Sequence, residues 1–368
     1  DVSMSEDDIT ADTPLPFCLH KLWYDVHTSF YSTHNVGPGS NQSEETRTYE
    51  LDPATQLECR GSVMDVIRPR FRAITNSAVD GVRIYKSSAG DMRGHVDTLE
   101  AKLKDPRLSF LFNPGPWAVN ENGETTKDLD ALFHEWIGRD KPITVLDLSG
   151  IPPSILDDLI GAVLRILYDG MFWGRETNEG ARRRPLLIAL EEAHAYLGSQ
   201  SKSRATSAAR RIAKEGRKYG VGLMLVSQRP SEIDPTILSQ CGTMVAMRLT
   251  NESDRSQIRS CASDNLDGLF SMLPVLRTGE ALIVGEAVGI PLRALIEPPP
   301  KDKRPDGDDP KVVVPLDTTG QQTTPGGWTD TSGEENYAHL VNCWRLQDVF
   351  ASEKEELATE ADEPKNKE

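Results

Sequence analysis

Long apolar runs, paired cysteines and an excess of basic charge are all missing from this chain, and each absence narrows what it can be. Across 368 residues there is no stretch of about 18 apolar residues, so no membrane-spanning helix is expected. The opening Asp1-Val2-Ser3-Met4-Ser5-Glu6-Asp7-Asp8 has neither a basic n-region nor an apolar h-region, which excludes a signal peptide there. The opening residue is not a methionine, as expected of a segment taken from inside a longer chain. Five cysteines (Cys18, Cys59, Cys241, Cys261, Cys343) are scattered without a C-x-x-C pair. A disulfide framework or zinc site is therefore not expected, and free thiols in a reducing cytoplasm are. A protein that coats DNA by charge alone is basic; this one carries −16. The segment from Glu353 to Glu368 holds seven acids and three bases, and without it the chain is still at −12. Any contact with nucleic acid must be local, in a loop or pore.

What is present falls into four parts. Residues 1–140 read as a small helical subdomain with long connections. Phe17 to Tyr24, Val63 to Ala78 and Met92 to Leu103 carry apolar residues at helical spacing, and Gly37 to Glu44 is loop-like. Residues 141–298 read as an α/β domain with a mostly parallel sheet. Ile143-Thr144-Val145-Leu146-Asp147-Leu148, Leu186 to Leu190, Val221 to Val226 and Thr243 to Met247 have the character of buried strands. Ser154 with Asp157 resembles a capping box opening a helix, and Ala205 to Tyr219 is a basic helix. Ala281 to Val284 and Ile290 to Leu295 form a hairpin. Residues 299–350 are an arm ending in a short helix, Tyr337 to Phe350, with Leu340, Val341, Trp344 and Val349 available to dock on a partner. Residues 351–368 are an acidic tail, expected to be disordered.

The strongest chemical signal is Leu186-Leu187-Ile188-Ala189-Leu190-Glu191-Glu192-Ala193-His194. A buried strand delivers two carboxylates at its C-terminal end, the edge at which open parallel sheets bind ligands. Two adjacent acids there suit a metal shell and an attacking water; they equally suit a helix N-terminus that favours acids. His194 fits a role packing or hydrogen-bonding behind the acids. Val226-Ser227-Gln228-Arg229-Pro230 ends the next strand at the same edge, where a Gln can reach a water and a terminal phosphate. From Arg204 to Lys218 there are six bases and one acid. That is either a solvated helix face or the source of an arginine that reaches a neighbouring subunit. Gly198-Ser199-Gln200-Ser201-Lys202-Ser203-Arg204 is a basic loop, either plain surface or, through Lys202 and Arg204, a contact to DNA phosphates.

Taken in order, several of these segments resemble the HerA family of hexameric DNA-translocating ATPases, in the HerA/FtsK superfamily. They are Leu190 to His194, Glu215 to Leu223, Ser227 to Asp234, Arg248 to Asn251 with Asp254, and Thr278 to Gly285, with Val145 to Gly150 ahead of them. The resemblance runs from about residue 142 to 298, and residues 1–140 match only loosely, as the family's helical insertion. It implies a RecA-like P-loop NTPase core using ATP and Mg2+, with Glu191 on the Mg2+ side and Glu192 as catalytic base. Gln228 becomes the γ-phosphate sensor, and Arg217 the trans-acting arginine, with Arg248 and Arg211 behind it. The partners implied are five further copies of the chain, duplex DNA and an effector such as a nuclease or sirtuin-like NADase, in DNA processing or anti-phage defence. A ring scaffold that activates an effector without translocating, and an FtsK-like or conjugation-type DNA pump, are the alternatives. One departure is mild: the metal-side acid is Glu rather than Asp. The other is large, since no G-x-x-x-x-G-K-[ST] occurs in the chain. Family architecture places that motif, and an N-terminal β-barrel, before residue 1.

Overall fold

The computed structural model describes residues 13–29, 31–36, 49–71, 81–86, 90–138, 140, 142–180, 183–199, 203–261, 267–300, 303, 319 and 337–346. The Gly37–Glu44 loop, Lys202, nearly all of the 301–327 linker, the end of the last helix and the acidic tail lie outside them. The chain forms two compact units, residues 1–146 with 337–368, and residues 147–336.

In the first unit α1 (Leu19–Ser29) follows the helical spacing around Trp23. It is succeeded by the antiparallel pair β1 (Tyr31–Val36) and β2 (Gly81–Lys86), then α2 (Gly90–Leu103), the single turn α3 (Ser109–Phe112) and α4 (Leu129–Ile137). Trp23, fully buried, packs with Val66, Val96 and Leu103. The helix expected from Val63 does not form. Residues 63–71 are turns and isolated bridges, with Ser62 paired to Ile67 and Tyr49 to Phe71. Val66 lies in the left-handed region at φ 54° and Pro69 has no amide hydrogen, so no helix can pass through them. This part is thus mixed, not purely helical. It also takes in α10 (Tyr337–Leu346), with Tyr337 and Leu340 exposed.

The second unit is the α/β part. Its elements are α5 (Pro153–Trp173), β3 (Leu186–Leu190), α6 (Arg204–Glu215), β4 (Val221–Leu225), α7 (Pro235–Leu238), β5 (Thr243–Ala246), α8 (Glu252–Ser260), α9 (Asp267–Phe270), β6 (Glu280–Gly285) and β7 (Leu292–Leu295). β3 and β4 pair in parallel, Leu186 opposite Val221 through Leu190 opposite Leu225. β5, β6 and β7 pair antiparallel, so the described ladders are less parallel than the pattern of strands and helices suggested. The strand expected at 143–148 does not form. It has no ladder partner among the described residues, and Ile143 and Val145 are 82% and 84% exposed.

α5 buries Ile160, Leu164, Leu167, Tyr168 and Met171, one stripe at helical spacing. It starts on Pro153, whose missing amide hydrogen is no loss at a first helical position. Its Ser154–Asp157 pair is not a capping box. Asp157 instead caps α6: it accepts from the Ser203 hydroxyl, from the Arg204 amide at 3.0 Å and from the Ala205 amide at 3.3 Å. Such a long-range cap has no local sequence pattern. The two helices also approach at Gly161, where a Cβ would lie 2.8 Å from the Arg204 backbone. Beyond α6, a tight 3-10 turn (Gly216–Tyr219) ends on Gly220 at φ 72°, the left-handed cap a glycine takes without strain.

A buried ion pair fastens α6 to the loop beyond β4. Arg210 grips Asp234 with bonds of 3.1 and 2.7 Å, and Asp234 is only 3% exposed. The guanidinium holds the Asp234 carboxyl below the usual carboxylate range, against the opposing pull of its burial. A depressed folded pKa stabilises above the unfolded value of about 3.9, and that contribution is lost as pH falls through the folded value. Asp234→Asn should therefore lower the unfolding free energy at pH 7 by about 1.5 kcal/mol, the charge-assisted bonds being lost while the Arg210 guanidinium, partly exposed, keeps access to water. In denaturant titrations between pH 7 and 3 the variant should also lose less stability on acidification than the parent.

Candidate nucleotide site

β3 ends at Leu190, and the next two residues are the acid pair. Glu192 is in the left-handed region at φ 45°, ψ 42°, one of only three non-glycine residues described with positive φ. That backbone costs roughly 1–3 kcal/mol and persists only where its surroundings over-determine it. Here they do. The Ala193 amide donates to the Val226 carbonyl at 3.0 Å, which ties the turn to the end of β4. The Ala195 amide donates to the Glu192 carbonyl at 2.8 Å. The Tyr196 hydroxyl donates to the Glu191 carbonyl at 2.6 Å.

The turn aims the Glu192 carboxylate across to the β4 side. Gln228 Nε2 donates to Glu192 Oε1 at 2.7 Å, and His194 Nδ1 lies 3.2 Å from Oε2. The same His194 nitrogen is 3.1 Å from the Ser227 hydroxyl, which accepts from the Arg229 amide at 3.0 Å. His194 thus sits behind the acids as a hydrogen-bonding partner, as expected. Glu191 points elsewhere: its carboxylate is exposed and has no partner among the described residues. Burial and the two neighbouring carboxylates push the Tyr196 phenol up to about 12, so it keeps its proton throughout the neutral range.

A cavity of about 1490 Å³ runs beside these groups, lined by Glu191, Glu192, Gln228, Arg248 and the residues of β4 and β5. The direction of β5 follows from contacts at both ends. Arg217, just before β4, comes within 3.9 Å of Glu286, whose amide bonds Gly242 at the start of β5. Ser231, beyond β4, donates twice to Asp254, beyond β5, at 3.0 and 2.6 Å. β4 and β5 therefore run the same way, yet neither pairs with the other. One face of these strands is also bare: Leu187, Met224, Val245 and Met247 are all about half exposed or more. Strands of a parallel sheet are ordinarily covered on both faces.

The expected basic residues separate on this frame. Arg248 lies just past β5, at the same edge as Glu192 and Gln228, exposed and without an ion-pair partner among the described residues. Arg217 is at the other edge, roughly 16 Å away along the five residues of β4. Arg211 is not brought to the cavity at all: it pairs with Asp169 at 3.0 Å and covers the Tyr168 ring at 4.6 Å, fastening α6 to α5. Arg204 is exposed beside Asp158 at 3.3 Å. Tyr196 and Ser227 were not singled out in the sequence. The signal for Tyr196 was its place four residues beyond Glu192, one turn on.

An acid pair closes one strand of a parallel pair and a Gln closes the other, in an α/β unit, and the chain is similar in sequence to proteins named as helicases. No family model matches the chain. The DNA double-strand break repair helicase HerA of Sulfolobus acidocaldarius is 33% identical over 290 residues, 73% of this chain and 57% of that protein. A probable helicase of Methanocaldococcus jannaschii is 36% identical over 229 residues, 61% of this chain and 42% of that protein. HerA of Sulfurisphaera tokodaii is 34% identical over 172 residues, covering 46% and 34%. Among solved structures, the genome packaging NTPase B204 of Sulfolobus turreted icosahedral virus 2 shares 14% identity, 42% of this chain and 66% of that one, at a TM-score of 0.32, too slight to bear on function. By sequence the chain is a HerA-type protein, and it spans about half the length of the curated relatives it matches.

The Gln228–Glu192 contact has a direct check. Gln228→Glu would set two carboxylates against each other and raise the folded pKa of the pair. A raised folded pKa stabilises below the unfolded value and loses that advantage as pH rises. Thermal midpoints of this variant should drop by a few degrees relative to the parent between pH 4 and 7. Parallel curves would mean the two side chains are not neighbours in solution.

Proposed function

We propose that this chain forms the acid-pair half of an ATP-hydrolysing, DNA-translocating motor. The observation that carries the reading is the 2.7 Å contact between Gln228 and Glu192 at the carboxyl edge of two parallel strands, beside the cavity. A carboxylate and an amide placed together at one strand edge can both contact one water once their direct bond opens. Glu192 takes the proton of that water, and Gln228 orients it toward the phosphoryl group under attack. Glu191, exposed and unpartnered at the strand end, suits the outer shell of a hard cation, and Mg2+ bound there would draw charge from the phosphate oxygens. Arg248 supplies positive charge at the same edge.

The phosphate-cradling loop has no counterpart in these residues. The unpaired facing edges of β4 and β5, which run in one direction, fit a further parallel strand between them, and its carboxyl end would bring such a loop to Glu191, Glu192 and Gln228. The described residues do not supply that strand. In this reading Arg217, 92% exposed by side chain and at the opposite strand edge from Glu191 and Glu192, is presented to another copy in a ring of six. Passage of duplex DNA through that ring, the contacts of Lys202 and Arg204 with it, and a nuclease or sirtuin-like effector belong to the same proposal.

The test is ATP turnover by the natural full-length protein with and without duplex DNA. Glu192→Gln should cut kcat by about 10²–10⁴-fold, the range of a lost general base, while nucleotide still binds. Duplex DNA should stimulate the parent. Turnover that ignores DNA, with effector activity intact in Glu192→Gln, would favour a ring scaffold over a motor. Unimpaired hydrolysis by Glu192→Gln would remove the proposed base.

A further inference from the structure

We propose that Tyr196 is a positioning residue for Glu192: its hydroxyl locks the left-handed turn that aims the carboxylate, and it does so from an anchor on α6. The inference rests on the hydrolytic reading above for its kinetic consequence, but its geometry stands apart from that reading.

The turn has two sides. On the downstream side, the Ala193 amide holds it to Val226 and so to β4. On the upstream side, the peptide between Glu191 and Glu192 is free to rotate unless something fixes the Glu191 carbonyl. Rotating that peptide is the motion by which Glu192 would leave φ 45° for the right-handed or extended backbone that a glutamate prefers. The Tyr196 hydroxyl is the group that prevents it, at 2.6 Å from the Glu191 oxygen. The phenol stands half-buried under the two acids and has no other hydrogen-bond partner among the described residues.

Tyr196 is itself held from α6. The Thr206 hydroxyl shares its proton between the carbonyls of Tyr196 at 3.4 Å and Gly198 at 3.2 Å. The Ser203 hydroxyl, whose proton goes to Asp157, sits 3.3 Å from the Tyr196 carbonyl and caps the Thr206 amide at 3.0 Å. Leu197, fully buried, completes the anchor, its carbonyl accepting from the Asp234 amide at 2.8 Å. The path from the start of α6 to the Glu192 carboxylate is therefore one residue long. A phenylalanine would keep the ring and its packing and lose only the lock.

Tyr196→Phe in the full-length protein should lower kcat for ATP about tenfold with KM unchanged, because nucleotide binding is untouched and the aim of the base is not. A merely structural tyrosine would not produce that split. The second measurement needs no turnover. Glycine tolerates φ 45° without strain, so Glu192→Gly removes the need for a lock. Tyr196→Phe should lower the thermal midpoint by about 2–4 °C in the parent and by less than half as much in the Glu192→Gly background. If the two losses are equal, or if kcat is unchanged in an active enzyme, the lock is wrong. If the midpoints couple as stated but the parent hydrolyses no ATP, the lock stands and the hydrolytic reading falls.

Discussion

The junction between β3 and β4 is where this structure commits itself. A strand that ends in two consecutive glutamates sends them to opposite faces as long as it stays extended. The left-handed backbone at Glu192 breaks that alternation. It leaves Glu191 pointing to solvent and turns Glu192 toward Gln228 and His194. That conformation survives only because the Val226 carbonyl, Tyr196 and the first turn of α6 converge on it. The Asp157 cap and the Arg210–Asp234 pair then fix α6, so elements far apart in sequence serve one two-residue turn.

Where sequence signals were local, they translated into structure. Leu186 to Leu190 and Val221 to Leu225 were legible as strands because they are apolar and bounded by polar residues. Glu191, Glu192 and Gln228 were legible as a group because they lie just past the ends of such strands, whereas Arg248 came only from the resemblance, as an alternative to Arg217. The basic stretch after Ser203 is helical, as its pattern suggested. What could not be read was long-range. Asp157 looked like the partner of Ser154 and instead caps a helix some 47 residues on. Arg211 looked like a free cation of a basic helix and is occupied by Asp169 and Tyr168. The run at 143–148 has the composition of a buried strand, but composition does not supply a ladder partner. Of the helix expected over Val63 to Ala78, residues 63–71 failed for a local reason that spacing overlooks, since Val66 adopts positive φ and Pro69 cannot donate, and 72–78 lie outside the described residues.

The division of the arginines is informative about the chemistry. Four of them sit on or near α6, yet each has a different employment. Arg210 is bound to a buried acid, Arg211 covers an aromatic ring, and Arg204 and Arg217 remain at the surface. A count of positive charge would have treated them as one patch. Arg248, from a different element, lines the cavity at the acid pair's edge together with Arg229, which Glu232 pairs.

The facing edges of β4 and β5, unpaired among the described residues, have a consequence for how these residues behave by themselves. Unpaired amide and carbonyl rows, flanked by bare Leu187, Met224, Val245 and Met247, are a template on which any extended segment can pair, including one from a second copy. Like charge is a general defence against such pairing, because it keeps molecules apart before their edges meet. For these residues taken by themselves the excess of −16 opposes such pairing, most strongly at low ionic strength and less as salt shortens its reach.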